Sequence, residues 1–127
     1  MKYIRETQKS VDQAVADLTG TITAHKFGVL HVHNIYQTLN NKGVPFDHQV
    51  QVLEVCNPRQ AAKVLTDDMD MNMALPCRVS VYEKDGKTLI GMINPSYMLK
   101  MMSESLVMAE VATEVESVLK SAIDEAV

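Results

Sequence analysis

The chain has 127 residues, of which 46% are hydrophobic, and carries a formal net charge of −4 at pH 7. This length suits one domain, residues 1–127, whose core needs neither disulfides nor a metal. The 12 basic residues are scattered along the chain, which disfavours binding to nucleic acid or to an anionic membrane. The first ten residues lack the apolar segment of a signal peptide, so we expect a cytoplasmic protein with reduced thiols.

Alternating apolar residues and turn signals predict five strands. They are expected at residues 3–5, 27–33, 49–55, 78–83 and 88–93. The last two strands are joined by Asp85-Gly86, a dipeptide typical of a two-residue hairpin turn. In the second strand, strict alternation places His31 and His33 on one face together with Phe27 and Val29.

Apolar spacings of three and four residues, with capping residues in front of them, predict the helices. The expected N-caps or first residues are Thr7, Asn34, Asn57, Asn94 and Ser105. Asn57 is the best specified, because Asn is a preferred N-cap and Pro58 suits the first helical position. Residues 67–74 are predicted to be a loop. The last helix has a predicted buried stripe of Val107, Val111, Val115, Val118 and Ala122, with Glu110, Glu114 and Glu116 in solvent.

The resulting element order, β-α-β-α-β-α-β-β-α, predicts an α+β fold. Helices and an antiparallel hairpin within one small chain favour a mixed or antiparallel sheet with the helices packed on one face. The other face of such a sheet is either solvated or covered, and a second copy of the chain is the simplest cover. We therefore expect a homodimer.

Two cysteines mark the candidate ligand site. Cys56 ends the third strand just before a helix N-terminus, where the macrodipole and unpaired N–H groups favour thiolate. A free cysteine is also often a small buried hydrophobe, so both interpretations stay open. Cys77 lies at the same sheet edge as Cys56 only if their strands are antiparallel in the sheet. The candidate ligand-binding residues are Cys56, Asn57, Arg59, Cys77 and Arg78.

Two further groups are candidate metal ligands. Met69, Met71 and Met73 precede Cys77, and thioethers with thiolates select Cu(I). The same methionines could instead be adaptable packing residues at a partner surface. His31 and His33 lie about 6–7 Å apart along a strand face, which suits two ligands of one metal. An exposed polar strand face explains this pair equally well, because no further ligand stands at a diagnostic spacing.

Several motifs carry a resemblance to a known family. They are Val55-Cys56-Asn57-Pro58 with Ala61 and Ala62, Leu75-Pro76-Cys77-Arg78-Val79 with Tyr82-Glu83, Asp85-Gly86, and Asn94-Pro95. With them the chain resembles the uncharacterised prokaryotic proteins known as domain of unknown function 302. The resemblance implies a curved-sheet α+β fold similar to the TATA-binding-protein-like fold, usually homodimeric, and no established activity. The methionine run and the His31–His33 pair depart from the family's usual pattern.

Three functions follow as hypotheses. The first is a homodimeric module that binds a small molecule or soft ion near Cys56 and Cys77. The second is an enzyme that uses the Cys56 thiolate as a nucleophile, sulfur carrier or redox group. The third is a structural or protein-interaction module. The absence of a Gly-rich phosphate loop, a Cys-x-x-Cys pair and a His-Glu-x-x-His motif favours binding over catalysis, and no cofactor is indicated.

Overall fold

The computed structural model describes residues 1–127 and contains one five-stranded sheet. The strands are β1 Lys2–Thr7, β2 Gly28–Asn34, β3 Val50–Cys56, β4 Cys77–Lys84 and β5 Lys87–Ile93. Their order across the sheet is β1-β5-β4-β3-β2, and every neighbouring pair is antiparallel. The predicted α+β fold is confirmed, and of the two sheet types that the sequence allowed, the antiparallel one is present.

Five α-helices accompany the sheet, one more than the predicted order contains, because the last helical region forms two helices instead of one. They are α1 Val11–Ala24, α2 Ile35–Asn41, α3 Pro58–Asp67, α4 Pro95–Met102 and α5 Leu106–Ala126. The core lies between one face of the sheet and the helices, where Leu18 of α1 and Ile123 of α5 are fully buried with Leu53 and Ile90 of the sheet. None of the helices combines the length and the apolar character that crossing a membrane requires.

The predicted helix cap at Asn57 and the predicted turn at Asp85-Gly86 are both present. The Asn57 side chain accepts hydrogen bonds from the backbone N–H groups of Arg59 (3.0 Å) and Gln60 (3.2 Å), as predicted. Asp85 and Gly86 both have positive φ, at 52° and 74°, which the predicted hairpin turn requires. Thr7 was the wrong N-cap, because it is still paired in β1; Ser10 caps α1 through a bond from Gln13 N–H.

The predicted faces of β2 were wrong because the strand contains a β-bulge. The pairing register with β3 shifts between Val29 and His31. An extra residue reverses the alternation beyond it, so Val29 packs against the core whereas His31 is exposed. His31 and His33 therefore lie on the sheet face away from the helices, and Val32 turns towards the core.

Three predictions for the second half of the chain also need correction. The predicted loop is a 3₁₀-helix at Met69–Ala74, which Asp68 caps by accepting from Asp70 N–H. The buried stripe of α5 begins one residue later than predicted, since Met108 is buried and Val107 is exposed. Glu116 is only partly exposed, and its carboxylate accepts hydrogen bonds from the Ser96 N–H and hydroxyl groups.

Candidate functional site

The register of β3 and β4 determines where the two cysteines meet. Val55 is paired with Cys77 across the antiparallel ladder. Cys56 is the last residue of β3 and Cys77 is the first residue of β4. The two cysteines therefore lie at the same end of these two neighbouring strands, which we call the cysteine edge of the sheet. The antiparallel alternative that the sequence left open is the one that the fold adopts.

Both cysteines line one apolar pocket at this edge, where the sheet meets α3, α4 and α5. The pocket is partly open to solvent, and its volume of about 30 Å³ is enough for one or two groups the size of water. The other lining residues come from distant parts of the chain: Phe27, Val55, Asn57, Gln60, Ala61, Val64, Leu75, Pro76, Pro95, Leu99, Val111 and Val115. None of them carries a charge, so the two thiols are the only titratable groups in the lining.

Burial keeps both thiols protonated. It raises the pKa of Cys56, and it raises the pKa of Cys77 from an ordinary 9.0 to about 11. The charge that Cys56 carries when ionised adds to the rise at Cys77. Both cysteines are free thiols. The pocket therefore offers two neutral sulfur groups at neutral pH, in contrast to the thiolate that a helix N-terminus alone would favour.

Gln60 is a further polar lining residue, which the sequence did not indicate. It lies in the first turn of α3, and its Oε1 atom is buried without a hydrogen-bond partner. An unpartnered buried amide oxygen is unfavourable by about 1–3 kcal/mol. A glutamine three residues after an N-cap often folds back onto the cap, so its sequence position gave no sign of a pocket. Gln60 therefore contributes to the lining a side chain with one unsatisfied acceptor.

The remaining candidate ligand residues divide between the pocket and the surface. Asn57 lines the pocket while its side chain caps α3. Arg59 and Arg78 are exposed and do not line it. Arg78 is instead paired with Glu54 on the opposite sheet face. Two of the five candidates therefore lie outside the pocket.

The three methionines do not form a common site. Met71 is 1% exposed and belongs to the core, whereas Met69 and Met73 are 67% and 75% exposed. The 3₁₀-helix causes this separation, because residues two apart on it point in different directions. None of the three lines the pocket at Cys56 and Cys77.

The histidine pair forms a small polar cluster on the open sheet face. The two rings stand edge to face with centroids 4.4 Å apart. His33 Nε2 lies 2.8 Å from Glu54 Oε1, and His31 is the strand partner of Glu54. Both rings are thus neighbours of the same carboxylate, that of Glu54. No group of three or more His, Cys, Asp or Glu side chains is arranged to hold a metal ion here or elsewhere.

The fold and the pocket define a class of protein: an α+β domain with a five-stranded antiparallel sheet, helices on one face and two thiols at one edge. The model of a protein family described as Domain of unknown function DUF302 matches residues 3–126. The chain belongs to this family. It is similar to the crystal structure of an uncharacterized conserved DUF302 protein from Bacillus stearothermophilus, with 30% identity and a TM-score of 0.93 over 99% of this chain and 98% of that one. No curated protein matches the chain.

Proposed function

We propose that the protein is a homodimeric binding module that holds a small molecule or a soft ion between Cys56 and Cys77. One observation carries this proposal: two thiols line a single, largely apolar pocket together with the amide side chains of Asn57 and Gln60. Binding sites typically combine an apolar enclosure with a few polar groups that orient the ligand. The small volume of about 30 Å³ favours a ligand of a few atoms.

The protonated state of the thiols argues against catalysis, because a nucleophile must already be a thiolate whereas a metal ion displaces the proton as it binds. A nucleophilic or sulfur-carrying cysteine reacts as the thiolate, whereas burial raises the pKa of both thiols here. No arginine, lysine or histidine lines the pocket to reverse that effect. We propose a cytoplasmic location, where both thiols stay reduced, and we expect neither nucleic acid nor membrane among the partners.

A pair of alanines on α3 allows the pocket to be blocked with a matched control. Ala61 lines the pocket, and its neighbour Ala62 is exposed. The Ala61→Leu variant adds three carbon atoms to the pocket lining, and Ala62→Leu adds the same atoms outside the pocket. Both variants and the natural protein would be titrated with Cu(I) and separately with acetamide, ethanol and dimethyl sulfide. The measurement is the chemical shifts of the methyl groups of Val55, Val64 and Leu99.

At least one of these probes should shift the pocket signals of the natural protein and of Ala62→Leu but not of Ala61→Leu. Shifts that persist in Ala61→Leu would show that the probes bind elsewhere. If no probe of either class shifts these signals, the pocket is a packing defect and the proposal is wrong.

The homodimer in this proposal is supported by the sheet face away from the helices. One row of residues crosses all five strands there, namely Ile4, Gly91, Ser80, Val52 and His33. Ile4 is 44% exposed. Strands about 4.8 Å apart and six residues long give a face of roughly 24 by 20 Å, or about 500 Å². Two such faces together would bury about 1,000 Å², the lower limit of a specific interface.

A charge introduced on this face tests the dimer by sedimentation equilibrium. We expect the natural protein to be a dimer at about 10 µM and Ile4→Lys to be a monomer, since a buried unpaired lysine is strongly unfavourable. The control is Val44→Lys, which changes an exposed apolar residue outside the sheet and should leave the dimer intact. A monomeric natural protein, or a dimer that survives Ile4→Lys, contradicts this part of the proposal.

A further inference from the structure

We infer that Cys56 and Cys77 together bind one Cu(I) ion, each through its sulfur, at the pocket where β3 ends and β4 begins. This inference rests on the proposed binding function and specifies its ligand. Each thiol releases one proton to solvent, one copper–sulfur bond forms at each sulfur, and copper remains in the +1 state. No oxidant or reductant is consumed.

The donor set selects this ion. Thiolates are soft ligands that favour Cu(I) over the hard cations, which prefer oxygen. Zn(II) needs about four donors in a structural site, and no group of three or more His, Cys, Asp or Glu side chains is found around the two sulfurs. Cu(I) is stable with two thiolates alone. Two cysteines in an apolar lining therefore match its requirements better than those of the other common metals.

The size of the pocket and the charge of the complex also favour Cu(I). A space of about 30 Å³ is sufficient for a single ion. A complex of one monovalent ion with two thiolates carries one negative charge. Cys56 directly precedes Asn57, the N-cap of α3, and a helix N-terminus is equivalent to roughly half a positive charge. This end of α3 partly offsets the charge of the complex.

The position of Cys56 at the end of its strand explains how it lines the same pocket as Cys77. Strict alternation along β3 would direct Cys56 away from the face of Val55 and Cys77. The strand ends at Cys56, however, and the chain turns into α3 at the next residue. Both cysteines line the same pocket, and the ionised form of Cys56 acts on Cys77 electrostatically. The two thiols are therefore neighbours despite the alternation.

Copper binding would be measured on the reduced, full-length protein without oxygen. A chromogenic Cu(I) chelator competes for the ion, and X-ray absorption counts the sulfur neighbours of the bound copper. We expect one Cu(I) per chain with two sulfur neighbours. Cys56→Ser and Cys77→Ser should each weaken binding by more than about 100-fold, the upper effect of losing a group that only supports a ligand. Met73→Ala and His33→Ala are controls, and each should bind like the natural protein.

Circular dichroism shows whether each variant is folded. Cys77 is the more deeply buried cysteine, so its replacement by serine is the more disruptive change. If Cys77→Ser does not fold, the copper affinity of Cys56→Ser alone tests the inference. The inference is wrong if the natural protein does not compete with the chelator, or if Met73→Ala or His33→Ala loses the copper. If Cu(I) fails to bind but a neutral probe shifts the pocket signals and Ala61→Leu abolishes the shift, only the choice of ligand is wrong. If neither Cu(I) nor a neutral probe binds, both this inference and the proposed binding function are wrong.

Discussion

Val55 and Cys77 are direct partners in the antiparallel ladder between β3 and β4. Paired residues share a sheet face, and Val55 is fully buried on the face that the helices cover. Cys77 is consequently held against the core, and Cys56 follows Val55 at the same edge. This single pairing explains why both thiols line one pocket and why Cys77 is the harder of the two to ionise.

The burial of Cys77 predicts a loss of stability at alkaline pH. Its pKa is raised from 9.0 to about 11 in the folded protein, so folding favours the protonated thiol. This stabilisation is complete below pH 9 and disappears as the pH rises towards 11. Two pKa units correspond to about 2–3 kcal/mol of unfolding free energy. Urea denaturation at pH 7.5 and pH 10.5 should show a smaller loss of stability for Cys77→Ala than for the natural protein; equal losses would contradict the assignment.

Two Asn-Pro sequences with different structures provide a second prediction. Asn57 caps α3 with its side chain, whereas Asn94 makes no such bond before α4 and its Oδ1 atom is buried without a partner. Asn57→Ala should lower the free energy of unfolding by about 1 kcal/mol. Asn94→Ala should change it by less than about 0.5 kcal/mol or raise it, because it removes an unsatisfied group. Thermal and urea denaturation measure both, and a larger loss from Asn94→Ala would be the contrary result.

The contrast between Asn57 and Asn94 also shows what the sequence could predict. Hairpin and cap signals such as Asp85-Gly86 and Asn57-Pro58 act within a few residues, so the strand and helix positions follow from them. Asn94-Pro95 is the same dipeptide as Asn57-Pro58, yet α4 begins without a capping hydrogen bond from the asparagine side chain. The order of elements was sufficient for the α+β class, because short antiparallel connections leave few alternatives.

The pocket could not be predicted to the same extent, because its walls come from the whole chain. The cysteines at two strand ends were visible in the sequence, but their proximity depended on a strand pairing that the sequence left open. Gln60, Leu99 and Val111 reach the pocket only through the packing of α3, α4 and α5. The β2 bulge likewise depends on pairing with β3, and it moved His31 to the other face.

The methionine run predicts unequal effects for three chemically identical substitutions. Met71 is buried in the core, and Met69 and Met73 project into solvent. Met71→Ala should therefore lower the free energy of unfolding by about 2–5 kcal/mol through lost packing and a new cavity. Met69→Ala and Met73→Ala should each stay within about 0.5 kcal/mol of the natural protein. Urea denaturation compares the three, and similar losses at all three positions would be inconsistent with this packing.

The cluster on the open sheet face predicts a loss of stability in acid. The hydrogen bond from His33, together with the positive charge of Arg78, lowers the pKa of Glu54 below its ordinary 4.5. The folded protein thus favours the ionised carboxylate, a contribution that is complete above the ordinary pKa and disappears as the pH falls through the lowered one. Glu54→Gln should be less stable than the natural protein at pH 6, and the difference should shrink by pH 3.

A matched carboxylate separates this local effect from the general effect of acid on the protein. Glu114 is exposed on α5 and lies far from the histidine cluster in the chain. Denaturation of Glu114→Gln should follow the natural protein at both pH values, since a single solvated charge contributes little to stability. If Glu54→Gln and Glu114→Gln respond alike between pH 6 and pH 3, the His33–Glu54 hydrogen bond does not stabilise the sheet edge.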